Sequence, residues 1–264
     1  MIFKVFNYLK NKKDTKKILF VLGCQRSGTT MLLNSLKRDN NARIYGEFSE
    51  LSNCDKGYGI RLNPLPVVEG QISNDKEKLI VLKPLVESQN VLDLLEYFKD
   101  SKTIWMYRHY KDVALSNLNK WGINNGIKDI TPIYNNEPGN WRSENLPNAI
   151  RKTIVENYSQ DMNPYDAAAL FWYVRNSLYF ELKLDKNNNV LLCNYDSLVE
   201  NPKNVFRLIY KFLSNKYPGD KLIRKISIKS IGKGNKVTIS PNIGVICNNL
   251  YKKLLDSDKE LKIN

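Results

Sequence analysis

The chain has 264 residues, 42% hydrophobic and 11% aromatic, enough to core one large α/β domain over 1–264, with no composition break marking a linker. Its 41 Lys and Arg against 27 Asp and Glu leave +14, a balance that favours polyanionic ligands without choosing among nucleotide, nucleic acid, acidic glycan and membrane surface. No apolar run approaches the ~20 residues of a spanning helix, and cysteines 24, 54, 193 and 247 are too scattered for a zinc site or a disulfide framework. A cytoplasmic protein without a metal is expected.

Residues 1–17 carry six lysines and one aspartate behind Ile2, Phe3, Phe6 and Leu9. That spacing predicts a basic amphipathic arm, packed on the domain with its lysines solvated or making peripheral contact with a membrane. Ile18–Gly23 reads as a buried strand, and Met31, Leu32, Leu33 and Leu36 give the spacing of a helix that starts near Gly28. Residues 42–51 form a short apolar segment followed by Gly46-Glu47, and 52–78 read as irregular surface. Further strands are predicted at Leu79–Leu82, Thr103–Tyr107 and Val190–Cys193, with helices at 88–98, 111–120, 165–184, 202–213 and 243–255. The polar, proline-punctuated stretch 121–163 is expected to be an irregular lid or substrate loop. Residues 216–236 hold seven basic residues and one acidic, including Gly232-Lys233-Gly234-Asn235-Lys236.

Strand, tight loop and helix start at 18–36 aim several backbone N–H groups at one spot, where the helix dipole adds positive potential. An anion, above all a phosphate, should sit there. The frame Gly23-x4-Gly28-Thr29-Thr30 overlays the Walker A pattern G-x4-G-K-[ST], but Thr29 replaces the lysine that works beside magnesium in nucleoside triphosphatases. The cation in this loop is Arg26, whose planar fork holds an oxyanion bidentately. A P-loop kinase-like enzyme is therefore the rival reading. A basic nucleic-acid-binding protein is another, though no basic–aromatic stacking motif is present and no nucleic acid is expected as a partner.

The string Gln25-Arg26-Ser27-Gly28-Thr29-Thr30 resembles the 5′-phosphosulfate loop of sulfotransferases that use 3′-phosphoadenosine-5′-phosphosulfate (PAPS). Arg108, at a strand end, and Ser116, eight residues on, are similar to that family's 3′-phosphate pair, although His109-Tyr110 departs from its usual acidic or asparagine residue and proline. Asn194-Tyr195-Asp196-Ser197-Leu198 resembles the strand-end Y-E-D-L, and the late basic-glycine loop resembles the one that closes over the 3′-phosphate. The resemblance implies a P-loop-like sulfotransferase fold, a central parallel sheet with helices on both faces. It also implies transfer of a sulfonate from PAPS to an acceptor hydroxyl, leaving the bisphosphate PAP. On this reading Arg26, Ser27, Gly28, Thr29 and Thr30 hold the 5′-phosphosulfate, while Arg108, Ser116, Tyr195 and Lys236 serve the 3′-phosphate side.

The cytosolic phenol and steroid members use a histidine base in a K-x-H-L-P context. The corresponding stretch here is Lys83-Pro84-Leu85, and the sole histidine, His109, is elsewhere. Gly46-Glu47 instead resembles the glutamate base of tyrosylprotein and carbohydrate sulfotransferases, with Lys83 as the lysine at the transferring sulfonate. Glu50 is the nearest competitor to Glu47. A small-molecule, glycan or glycolipid acceptor is expected, its pocket built by 52–78 and 121–163.

Overall fold

In the computed structural model of the chain, residues 16–55 and 59–263 are described. The amphipathic arm expected at the N-terminus lies outside them, apart from Lys16 and Lys17. The first half of the chain runs β1 (Lys17–Gly23), α1 (Thr29–Leu36), β2 (Ala42–Tyr45), β3 (Ser52–Asp55), β4 (Gly59–Leu62), α2 (Leu65–Ser73), β5 (Leu79–Leu82), α3 (Val91–Tyr97) and β6 (Lys102–Tyr107). The second half is mostly helical: α4 (Tyr110–Trp121), α5 (Asn125–Tyr134), α6 (Asn148–Asn157), α7 (Pro164–Glu181), β7 (Val190–Asn194), α8 (Tyr195–Glu200), α9 (Pro202–Phe212) and α10 (Pro241–Ile263).

Five strands form a parallel sheet in the order β2-β5-β1-β6-β7. Their sequences are nearly all apolar because helices cover both faces. Alternation along each strand divides the core in two: Phe20, Leu22, Ile80, Leu82, Trp105 and Tyr107 point to one face, and Leu19, Val21, Leu79, Val81, Ile104 and Met106 to the other. Helix α7 packs on the first face, with Leu170, Phe171, Trp172 and Val174 fully or almost fully buried; α1 and α9 cover the second.

The register decides where the loops emerge. Tyr45 pairs with Leu82 and Leu82 with Phe20, while Gly23 pairs with Met106 and Tyr107 with Asn194, so β2 and β5 stop three residues short of the end of β1 and all five parallel strands end on the same side of the sheet. Gly46-Glu47, Lys83, the loop after Gly23, Arg108 and Tyr195 therefore leave the sheet along one edge. Ligands of open α/β sheets bind at that edge.

Three stretches differ from the sequence expectation. Residues 52–78, expected to be irregular, hold the antiparallel hairpin β3–β4 and helix α2. The stretch 121–163 contains α5 and α6, which bury Ile130, Ile133, Ile150 and Ile154. Burying such side chains is worth about 1.5–3 kcal/mol each, enough to hold a helix despite Pro132 inside α5 and the polar residues around it. The helix expected from Ser88 begins as a 3₁₀ turn, Leu85–Asn90, that runs into α3.

Candidate active site

The loop after β1 turns sharply. Arg26 is left-handed (φ 64°), and Gly28 (φ 90°) caps the first turn of α1. A Cβ on Gly28 would overlap the ring of Tyr195, so glycine is required both by the backbone and by the aromatic lid above it. Ser27 and Thr29 are buried, and burial pushes the Cys24 thiol up to about 12. The loop is tied from outside by Gln25, whose amide donates to Asp129 Oδ2 at 2.8 Å.

On the β2–β5 side, Lys83 Nζ lies 2.9 Å from Glu47 Oε2 and donates to Thr30 Oγ1 at 3.0 Å. Lys83 is 7% exposed and Glu47 27%. The lysine thus joins three sequence-predicted residues, from the end of β5, the turn after β2 and the start of α1. Glu50 goes elsewhere: it is 58% exposed and pairs with Arg43 at 3.3 Å. His109 has a structural place, its Nδ1 accepting from the Lys111 amide at the start of α4 while its ring stacks on Tyr110. Burial lowers its pKa and keeps the imidazole neutral.

On the β6–β7 side, Arg108 is 6% exposed; its guanidinium donates to Asp112 Oδ2 at 3.0 Å and to the Ser230 carbonyl, and lies 4.5 Å over the Tyr195 ring. The Tyr195 hydroxyl meets Ser230 Oγ at 2.5 Å. Asp112 fastens the late loop, accepting from the Gly232 amide at 3.0 Å and the Gly234 amide at 2.5 Å. Gly234 sits against the Lys111 backbone, where a Cβ would overlap. Arg26 reaches across from the first loop and donates to Ser116 Oγ at 3.0 Å. The loop arginine and the proposed phosphate pair are therefore one site.

These groups line a cavity of about 330 Å³, in which Arg26, Arg108, Lys120 and Lys233 face the single carboxylate Asp112. Burial first, and then the nearby Arg108, lower the pKa of Arg26, which marks a concentration of positive charge. Lys233 lines this cavity; Lys236, singled out from the sequence, is exposed and outside its lining. Ser27 Oγ and Arg108 Nε are buried without a hydrogen-bond partner, one in the loop and one at the strand end. Orphaned polar groups of this kind fit a ligand bearing phosphate oxygens at both places. Asp112 and Ser230 were not recognised from sequence as site residues. The signal for Asp112 was its i+4 spacing from Arg108; Ser230 offered none.

Sheet edge, glycine-bearing loop and converging cations define an α/β protein of the P-loop type with a cluster of cations at its strand ends. The chain belongs to the sulfotransferase domain family, whose model matches residues 16–245. Solved structures agree in fold. The sulfotransferase domain from the Synechococcus PCC 7002 olefin synthase has a TM-score of 0.57 at 18% identity, covering 93% of this chain and 96% of that one. The sulfotransferase domain from the curacin biosynthetic pathway scores 0.58 at 16% identity, covering 91% and 98%. Mouse sulfotransferase SULT7A1, complexed with PAP, scores 0.51 at 15% identity, covering 93% and 88%. No curated protein matches the chain's sequence. The parallel sheet and its helices accord with the P-loop-like sulfotransferase fold expected from the motifs. Among the described residues no helix is long and apolar enough to cross a membrane, and no cluster of three or more His, Cys, Asp or Glu is arranged to hold a metal ion.

Proposed function

We propose that the protein transfers a sulfonate group from PAPS to a hydroxyl of a glycan or glycolipid acceptor, without a metal. The observation that carries this reading is the order of charged groups along the sheet edge: Glu47 and Lys83 at β2 and β5, the glycine loop at β1, Arg108 at β6. Neighbouring strands lie about 4.8 Å apart, so three steps separate the two ends by about 14 Å. A nucleotide with its 3′-phosphate at Arg108 and its phosphosulfate at the glycine loop, one strand away, would direct the sulfonate toward Glu47 and Lys83 on the far side.

PAPS supplies an activated sulfonate and a good leaving group. Arg26, Ser27, the amides at Gly28 and Thr29, and Thr30 hold its 5′ end; Arg108, Ser116 and Lys233 hold its 3′-phosphate, with Tyr195 fixing Arg108. Glu47 receives the proton of the acceptor hydroxyl. Lys83 positions that carboxylate and places an ammonium where negative charge develops on the leaving oxygen. A glutamate base, in the absence of a histidine at the corresponding place, sets the chain apart from the cytosolic phenol and steroid members and fits a sugar hydroxyl.

Retention on immobilised 3′,5′-ADP, followed by transfer from labelled PAPS in excess EDTA, tests the reading. Elution by PAP but not by AMP, with transfer persisting in EDTA, is expected. Elution by salt alone, or activity restored only by magnesium, would overturn it.

A further inference from the structure

A second cavity has the opposite charge. It measures about 850 Å³ and lies between the β3–β4 hairpin, the 3₁₀ turn after Lys83, the start of α3 and the 144–145 loop. Among the described residues Arg61 is the one cation that lines it, against Glu87, Asp93 and Glu144. In a chain of net charge +14, whose other cleft sets four cations against one carboxylate, this is a local reversal.

Internal structure accounts for only part of that acidity. Glu87 is a structural node: it binds Arg61 at 2.9 and 3.2 Å and accepts from the Leu62 amide and from Asn90. The same arginine also takes Glu144 at 2.7 Å, so one positive charge serves two carboxylates. Asp93, exposed in the first turn of α3, has no hydrogen bond or ion pair among the described residues. Two negative charges are left over. Pro64, Leu65 and Leu94 supply an apolar wall, and Asn63, Asn90 and Asn145 supply amides.

Glu47 and Lys83 do not line the cavity, but its walls are tied to the two segments that carry them. Asn63 donates from its side chain to the Glu50 carbonyl at 3.1 Å and from its amide to the Leu51 carbonyl at 2.9 Å, which fixes the cavity edge to the turn that carries Glu47. Glu87 follows Lys83 by four residues, a chain separation of at most about 14 Å. Amides, an apolar wall and excess carboxylate suit a polyhydroxylated ring that carries an amine. Resting on the sulfotransferase reading, we infer that this cavity is the acceptor site and selects a cationic amino sugar over an anionic one. The basic surface, which by itself suggests an acidic glycan, serves the donor side instead.

Three tetrasaccharides of equal length separate charge from shape: one of glucosamine, one of N-acetylglucosamine, one of galacturonate. Calorimetric titration of the full chain without donor should give the glucosamine tetramer the highest affinity, about tenfold above the acetylated one, with galacturonate weakest. Raising NaCl from about 50 to about 300 mM should narrow the gap. Asp93→Asn, which removes a carboxylate with no partner to lose, and Glu144→Gln should each weaken the amine ligand several-fold while leaving PAP binding and melting temperature unchanged. Galacturonate binding as tightly as glucosamine, no effect of either variant, or no binding at about 10 mM would overturn the inference. PAP titrated into the same samples separates the two claims. PAP binding without oligosaccharide binding removes the acceptor inference alone; oligosaccharide binding without PAP removes the donor reading and leaves the cavity's preference standing.

Discussion

The Lys83 ammonium lies 2.9 Å from the Glu47 carboxylate, and the two residues leave adjacent parallel strands whose last residues, Leu82 and Tyr45, are paired in register. Sheet register thus builds the contact directly, without a flexible loop to search for it. If Glu47 is the base, Glu47→Gln should lower single-turnover transfer by about 100-fold or more. PAP affinity, measured by calorimetry, should stay within about threefold, because the acceptor proton and not the nucleotide loses its partner. Glu50→Gln, at a residue paired with Arg43 on the surface, should leave turnover near normal. Near-normal turnover in Glu47→Gln would remove that carboxylate from the chemistry.

Ser116 and Arg108 should read the 3′-phosphate. Arg108→Ala and Ser116→Ala each remove a hydrogen bond to the charged phosphate, worth about 1.5–3 kcal/mol. Both should weaken PAP far more than AMP. Arg108 also balances the buried Asp112, and Ser116 also accepts from Arg26, so a melting curve must accompany both variants. Equal weakening of PAP and AMP in Ser116→Ala would place the 3′-phosphate elsewhere.

The contact between Gly28 and Tyr195 is a steric prediction. Gly28→Ala puts a methyl into the tyrosine ring and holds alanine at a positive φ that costs about 1–2 kcal/mol. Urea unfolding should show a loss of about 2 kcal/mol or more, part of it recovered in Gly28→Ala with Tyr195→Ala. The coupling should amount to about 0.5–3 kcal/mol. Strict additivity of the two changes would mean that the ring does not cover the loop.

His109 predicts a pH dependence. Its folded pKa lies below its ordinary value of 6.5, mainly through burial, with Lys111 and Arg108 acting the same way and Asp112 opposing. The unfolded chain therefore binds more protons in the window just below pH 6.5, and stability falls as pH drops through it. Above pH 6.5 the contribution is fully present. As the chain has one histidine, Tm measured from pH 7.0 to about 5.5 should fall in the wild type. In His109→Asn, which keeps an acceptor for the Lys111 amide, the curve should flatten. Parallel curves would assign the loss to other groups.

The site was legible in sequence wherever a residue sits directly after an apolar strand. Gly23, Lys83, Arg108 and Tyr195 follow strands recognisable from composition, and parallel pairing brings such ends together. Glu47 was legible through the Gly46-Glu47 resemblance after a short apolar segment and not through a clear strand, since β2 is four residues long and half-exposed. The clasp of Asp112 on Gly232 and Gly234 joins residues 120 and 122 apart in the chain, and no local pattern records it. Helices α5 and α6 were hidden for a different reason. Each keeps helical spacing in its few buried apolar residues, Ile130 and Ile133 in α5 and Ile150 and Ile154 in α6, but polar neighbours outnumber them and Pro132 interrupts the pattern in α5.

Cys24 gives the donor loop a chemical clock. Its side chain is wholly buried between Gly23 and Gln25, and burial raises its pKa to about 12, so the thiol stays protonated at pH 7. An alkylating reagent can therefore act on it only in those moments when the loop has opened. The rate at which iodoacetamide marks this cysteine, followed by peptide mass spectrometry, becomes a measure of how often the strand-to-helix turn breathes. A nucleotide held by the amides of that turn should slow the marking in proportion to its occupancy. Alkylation as fast as that of a solvent-exposed thiol would mean that the turn spends most of its time open.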